Sequence, residues 1–221
     1  MTIPYLEDQL NRSRKNLGLD CIDLIYLHNA VEGQIQDISK TQFMKNLKDV
    51  FEFYESQRQK GTIKFYGLAT WDCFRVQNDD PQFLLLSDVL EVANQVGGDN
   101  HGFRFIQLPF NMYLDQAYML KNQQVDGKNV SILEAAKLYN IGIFTSVPLM
   151  QGKLLGQGVI QEFDNLKPSL LCLQFTRSTP GVLAPLVGHK LESHVSENLE
   201  IMKVSPISEN HFDELVKKLI S

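Results

Sequence analysis

Residues 16–28 read NLGLDCIDLIYLH, and this stretch decides the fold class. Leu17 and Gly18 close a helix, because glycine best accepts the left-handed conformation just past a helix end. Asp20 sits in a short turn. Ile22 to Leu27 is apolar except for Asp23, and it is rich in β-branched and aromatic side chains. That is the pattern of a strand buried on both faces, as in a parallel sheet. His28 stands where the strand should end. In a βα-barrel the C-terminal strand ends line the active-site face, so a histidine there is a candidate acid, base or electrophile. By position alone a structural histidine is the commoner case, and the rest of the chain shifts the balance.

Outward from this stretch, strand and helix alternate. A helix begins at Thr2 or Ile3, with Pro4 in its first turn and Leu6, Leu10 and Leu17 as its apolar stripe. A polar loop spans Asn29 to Lys40. Thr41 to Gln59 reads as a long amphipathic helix, whose Phe43, Leu47, Val50, Phe51 and Tyr54 recur at helical spacing and read as core. Thr62 to Ala69 is the second strand. Asp80 and Pro81 open a helix that contains Phe83, Leu86 and Leu90. Phe103 to Phe110 is the third strand, and Asp126 with Gly127 marks a turn. Ser131 and Glu134 form a capping box for a helix through Tyr139. Ile141 to Val147 is the fourth strand, followed by a glycine-containing loop through Gly158. Pro168 opens a helix to about Thr176, Val182 to Val187 is the fifth strand, and helices follow over Glu192 to Met202 and from Ser208.

Five strand–helix alternations predict parallel α/β structure in a single domain over residues 1–221. The turn after the first strand settles which kind. A dinucleotide-binding open sheet carries a glycine-rich turn there, whereas this chain has no glycine between His28 and Gly33. The glycines between Gln95 and Gly102 form no GxGxxG and lead into no helix. The reading is an incomplete (β/α)8 TIM-type barrel of about five parallel strands.

Composition narrows the partners. The chain has 221 residues, 43% hydrophobic and 21% charged, and a formal net charge of −5 with no basic run. Nucleic acid and anionic membrane are therefore not expected partners. Cys21, Cys73 and Cys172 are widely spaced and odd in number, which indicates neither a disulfide framework nor a zinc site. A reducing, cytoplasmic setting is the simplest fit. No signal peptide or bilayer-spanning run is visible.

Five segments, in order, resemble the aldo-keto reductase family: residues 17–28 (LGLDCIDLIYLH), 60–71 (KGTIKFYGLATW), 105–111 (FIQLPFN), 146–152 (SVPLMQG), and 186–189 (LVGH) with 197–199 (ENL). The resemblance implies a (β/α)8 barrel that binds NADP or NAD without a Rossmann motif and reduces a small carbonyl substrate. It also implies that about the first third of the barrel precedes the segment where this chain starts. The catalytic Asp, the proton-donating Tyr and its Lys belong to that part, and only the histidine, His28, is present here. Tyr26, two residues earlier on the same strand face, reads as a core tyrosine rather than a substitute donor.

The resemblance also implies cofactor positions. Gln107 matches a residue that bonds the nicotinamide carboxamide. Ala69 and Thr70 stand where a Ser–Asn pair does the same work, and of these only Thr70 can bond through its side chain. Ser146 replaces a stacking tyrosine. Pro148, Leu149 and Gln151 lie on the loop that crosses the pyrophosphate. Gly188 and His194 occupy positions where many members place Lys and Arg against the 2′-phosphate, and neutral His supplies far less charge than Arg. His189, Glu197 and Asn198 keep polar contacts available. The expectation is weak or residual dinucleotide binding and no activity of the chain alone. The alternatives are a non-catalytic binding or scaffold protein, or half of a split barrel that associates with itself or with another chain through open sheet edges.

Overall fold

The structure, a computed structural model, describes residues 2–155 and 166–220, with side chains through Lys217. Helix α1 (Ile3–Leu17) has Pro4 in its first turn and ends at Gly18, whose φ of 65° is left-handed as its position demands. Strand β1 (Ile22–His28) follows, then α2 (Lys40–Gln59), β2 (Ile63–Ala69), α3 (Leu86–Gly97) and β3 (Phe103–Pro109). A short helix α4 (Gln116–Met119) and a small hairpin, β4 (Gln123–Val125) with β5 (Lys128–Val130), precede α5 (Ile132–Leu138) and β6 (Gly142–Ser146). Last come α6 (Pro168–Ser178), β7 (Val182–Pro185), α7 (Glu192–Leu199) and α8 (Glu209–Ile220).

Among the described residues, β1, β2, β3, β6 and β7 form one sheet in chain order, every neighbouring pair parallel. This is the expected alternation of parallel strands and helices. One face packs under the helices. There Phe43, Leu47, Phe51 and Tyr54 of α2 are buried with Tyr66, Leu68, Phe103 and Ile106 of the sheet. Each such side chain contributes about 1.5–3 kcal/mol on burial. The Phe51 ring lies 4.9 Å from Tyr66 and 5.5 Å from Phe103, centre to centre. The helical stripe read as core is core.

The opposite face carries Leu24, Tyr26 and His28 of β1, paired in register with Phe65, Gly67 and Ala69 of β2. Phe65, Phe105 and Phe144 run across it in ring contact at 5.8 Å per step. Phe65 is 38% and Leu183 58% exposed. Gly67 and Gly142 keep this row tight. A Cβ on Gly67 would meet the Phe105 carbonyl at 2.2 Å, and one on Gly142 would meet the Phe105 ring at 2.9 Å.

Several expected boundaries shift. Asp80 and Pro81 do not open α3. Asp80 Oδ1 accepts from the Gln82 N–H and its carbonyl from the Phe83 N–H, which closes a turn. Phe83 and Leu84 are then buried outside any helix, and the Leu86 N–H is capped by the Gln123 side chain instead. The Asp126–Gly127 turn joins the β4–β5 hairpin, whose strands are too short to show a period in sequence. The capping box at Ser131 and Glu134 forms as read. The helix expected to reach Met202 is α-helical only to Leu199 and continues as a tighter turn over Glu200–Lys203. The fourth and fifth strands end at Ser146 and Pro185 rather than Val147 and Val187. Gly156 and Gly158 of the long loop lie outside the described residues.

Candidate active site at the C-terminal edge of the sheet

Parallel strands bring their C-terminal ends to one edge, and pairing there aligns the candidate residues. His28 pairs with Ala69, and Ala69 with Gln107, so His28 and Gln107 flank a small residue on one row. His28 is exposed and Gln107 half-buried. The turns beyond the strands are knit to this row: the Asn29 N–H donates to the Ala69 carbonyl at 2.7 Å, and the Thr70 N–H to the Gln107 carbonyl at 2.9 Å. Ser146, half-buried, ends β6 opposite Pro109.

The chain leaves β6 through a run of left-handed residues. Val147, Met150 and Gln151 have φ of 52°, 47° and 57°, and Gly152 has 86°. A left-handed β-branched residue is a backbone outlier, and each such non-glycine residue stores on the order of 1–3 kcal/mol. The surroundings hold the strain in place. Asn111 Nδ2 donates to the Val147 carbonyl at 3.0 Å, and the Met150 and Gly152 N–H groups donate back to Val147 and Leu149. Pro148 is buried, Leu149 half-buried and Gln151 exposed.

A residue that sequence reading passed over dominates the β1–β2 side. Glu32 Oε1 accepts from the Thr70 hydroxyl at 2.6 Å, the Trp71 N–H at 2.7 Å and the Asp72 N–H at 2.8 Å. Its Oε2 is buried without a hydrogen-bond partner among the described residues. Burial works against the charge, but the bonds from Thr70, Asp72 and Trp71 outweigh it and hold the carboxyl below its usual range. Thr70 is thus turned towards Glu32, and its oxygen also accepts from the Cys73 N–H at 3.2 Å. No local motif marks Glu32; its partners lie 38 to 40 positions away.

Tyr26 lies on the face of His28, with its hydroxyl buried and without a hydrogen-bond partner among the described residues. Burial pushes its pKa up, opposite to the shift a proton donor requires. Gly188 and His189 follow β7, both exposed, and His194 on α7 is exposed as well. Glu197 and Asn198 belong to the α6–α7 packing. Glu197 accepts from Ser169 and lies 3.9 Å from Lys167, and Asn198 is buried. No cluster of three or more His, Cys, Asp or Glu able to hold a metal occurs among the described residues.

The sequence pattern of the Aldo/keto reductase family matches residues 1–164. The chain belongs to the aldo/keto reductase family. Membership supports an oxidoreductase, and the family generally uses NAD(P)H on carbonyl substrates. Among solved structures, the chain is similar to aldo-keto reductase AKR11C1 from Bacillus halodurans. The holo form is 16% identical with a TM-score of 0.62, over 96% of this chain and 67% of that one. The apo form is 14% identical at 0.61, over 96% and 68%. A structure named as that of a 2,5-diketo-D-gluconic acid reductase B is 14% identical at 0.62, over 94% and 61%. At these identities the likeness shows the fold, and the chain spans about two thirds of these relatives' length. No curated protein sequence matches. Among the described residues no helix is long and apolar enough to cross a membrane.

Proposed function

We propose that this chain is the nicotinamide-dinucleotide-binding portion of a carbonyl-reducing aldo/keto reductase and is inactive on its own. The observation that carries this reading is the row His28–Ala69–Gln107 at the C-terminal edge of a parallel sheet. The donor set fits the cofactor. Gln107 offers an amide that can both donate to and accept from a carboxamide. The left-handed turn from Val147 to Gly152, with Pro148, Leu149 and Gln151, is the segment that crosses the pyrophosphate in this reading. Gly188, His189 and His194 supply no permanent cation, so NADPH gains little over NADH. Glu197 and Asn198 are engaged in packing and act through the placement of α7.

When bound, the dinucleotide supplies the hydride. His28 orients and polarises a carbonyl oxygen as negative charge grows on it. Among the described residues Tyr26 is no candidate for proton delivery, since its hydroxyl is buried and shifted the wrong way. Hence the chain alone is catalytically incomplete. The exposed aromatic face and the unpaired edge of β1 favour a second element of the reading: association with another copy or a partner chain.

Titration with NADPH and NADH followed by tryptophan emission tests the binding, and NADPH oxidation with reactive aldehydes tests the chemistry. The expected result is weak binding of both cofactors, reduced by Gln107→Ala, with no carbonyl reduction above a His28→Ala control. Turnover of ~1 per second or faster, abolished by His28→Ala, overturns the incompleteness.

A further inference from the structure

The geometry points to Glu32 as a positioning residue of the dinucleotide site, one that clamps the turn after β2 to the turn after β1 through a single carboxylate oxygen. The inference rests on the dinucleotide reading above. Three donors from consecutive residues, Thr70, Trp71 and Asp72, converge on Glu32 Oε1 at 2.6–2.8 Å. Bonds to a charged acceptor are the strong kind. The same turn is bonded to the candidate row on both sides, through the Asn29 N–H to Ala69 and the Thr70 N–H to Gln107. Glu32 therefore closes a ring that contains the ends of β1 and β2 and reaches the backbone of Gln107. Fixing that ring fixes the spacing of His28 and Gln107.

The arrangement also accounts for the Ala69–Thr70 pair. Ala69 has no side-chain polar group, and the hydroxyl of Thr70 is committed to Glu32 and Cys73. Neither side chain is then free to hold a ligand, and the turn contributes through its placement. Oε2 makes no hydrogen bond among the described residues, so an amide in place of the carboxylate keeps the oxygen that the three donors use. Geometry and charge are thereby separable by mutation.

The clamped turn carries its own reporter. Trp71 is the chain's single tryptophan, it is 44% exposed, and its N–H is one of the three donors. The test compares wild type, Glu32→Ala and Glu32→Gln of the full chain by acrylamide quenching of Trp71 and by NADPH titration. Glu32→Ala should raise the quenching and weaken NADPH binding by about tenfold, the effect of roughly one lost hydrogen bond. Glu32→Gln should recover part of both, because the amide keeps the accepting oxygen but loses the charge that strengthens its bonds. Should Glu32→Ala not fold, Glu32→Asp takes its place, because a shorter side chain cannot reach all three donors and must weaken binding in the same direction. A purely structural role predicts lower melting temperatures with unchanged affinity in the folded variants, and that result overturns the inference. A Glu32→Gln variant as weak as Glu32→Ala overturns it too, since charge and not placement would then matter. Wild type that binds no dinucleotide removes the site reading and this inference together, whereas equal binding by all variants removes this inference alone.

Discussion

Two carboxylates at opposite ends of the sheet are used in opposite ways. Glu55, near the C-terminus of α2, lies at the end where the strands begin. Both its oxygens are engaged: Oε1 accepts from the Tyr66 hydroxyl at 3.0 Å and the Gly102 N–H at 2.6 Å, and Oε2 pairs with Arg58 at 2.6 Å. Arg58 in turn donates to the carbonyls of Lys64 and Asn100. The fit leaves no slack, since a Cβ on Gly102 would lie 2.2 Å from Arg58 Cδ. Glu32, where the strands end, loads three donors on one oxygen and leaves the other without a partner among the described residues. The first end is a closed polar network that fixes how α2 meets the sheet. The second keeps an orphan oxygen, an exposed histidine and strained backbone together, as functional edges do.

The difference is breakable by mutation. Glu55→Ala leaves Arg58, the Tyr66 hydroxyl and the Gly102 N–H short of a partner in a buried setting. It should lower stability by about 3 kcal/mol, the scale for stripping one member from a buried ion pair, read as a fall in the urea midpoint at constant slope. NADPH affinity per folded molecule should not change. A large loss of affinity with little loss of stability would put Glu55 in the site and erase the contrast between the two ends.

Val147→Gly sharpens the contrast from the other side. Val147 holds a φ of 52°, which glycine adopts freely. Relief of strain less the entropic cost of glycine should leave a net gain of about 1 kcal/mol. The urea midpoint should rise while NADPH binding weakens, because the turn is no longer held. A fall in the midpoint would show that valine packing outweighs backbone strain here.

What could be read from sequence was whatever is decided locally. Gly18 after an amphipathic helix, the Ser131–Glu134 box and the apolar run up to His28 depend on neighbours within a turn or two, and all three elements form, although the strand read as buried on both faces leaves Leu24 and Tyr26 only half-buried. Parallel order followed from the alternation of periods. What escaped depends on distant partners or on conformations that a residue type normally avoids. Asp80 and Pro81 have the chemistry of a helix start, yet Phe83 and Leu84 are buried ahead of the helix and Gln123 supplies the cap. Val147 is a β-branched residue at a positive φ, against its own preference. Thr70 reads as a ligand contact until Glu32 is placed beside it. Of the candidate site, the row of His28 and Gln107 is legible because strand ends align in a parallel sheet, and the clamp that spaces them is not.

The smallest expected effect is a pH response confined to the clamped turn. The Glu32 carboxyl is held below its usual range: burial opposes the charge, and the bonds from Thr70, Asp72 and Trp71 more than offset it. A carboxylate with a depressed folded pKa lends stability that is fully present above its ordinary value of about 4.3 and lost as the pH falls through the folded value. Asp72, Cys73 and Arg75 are the other ionisable groups around it. Burial raises Asp72, so its response to acid runs the other way and begins at higher pH. Burial also keeps the Cys73 thiol neutral throughout this range. Arg75, which donates to the Trp71 carbonyl at 2.9 Å and to Gln116 at 2.7 Å, stays charged and holds the far side of the turn. On acidification, Trp71 emission should therefore shift towards that of exposed tryptophan once the pH has fallen below the ordinary carboxyl value, before the far-UV circular dichroism changes. In Glu32→Gln that early step should vanish and leave one coincident transition. Coincident transitions in wild type would mean that the turn is held by packing around Arg75 and that the Glu32 bonds add little to it.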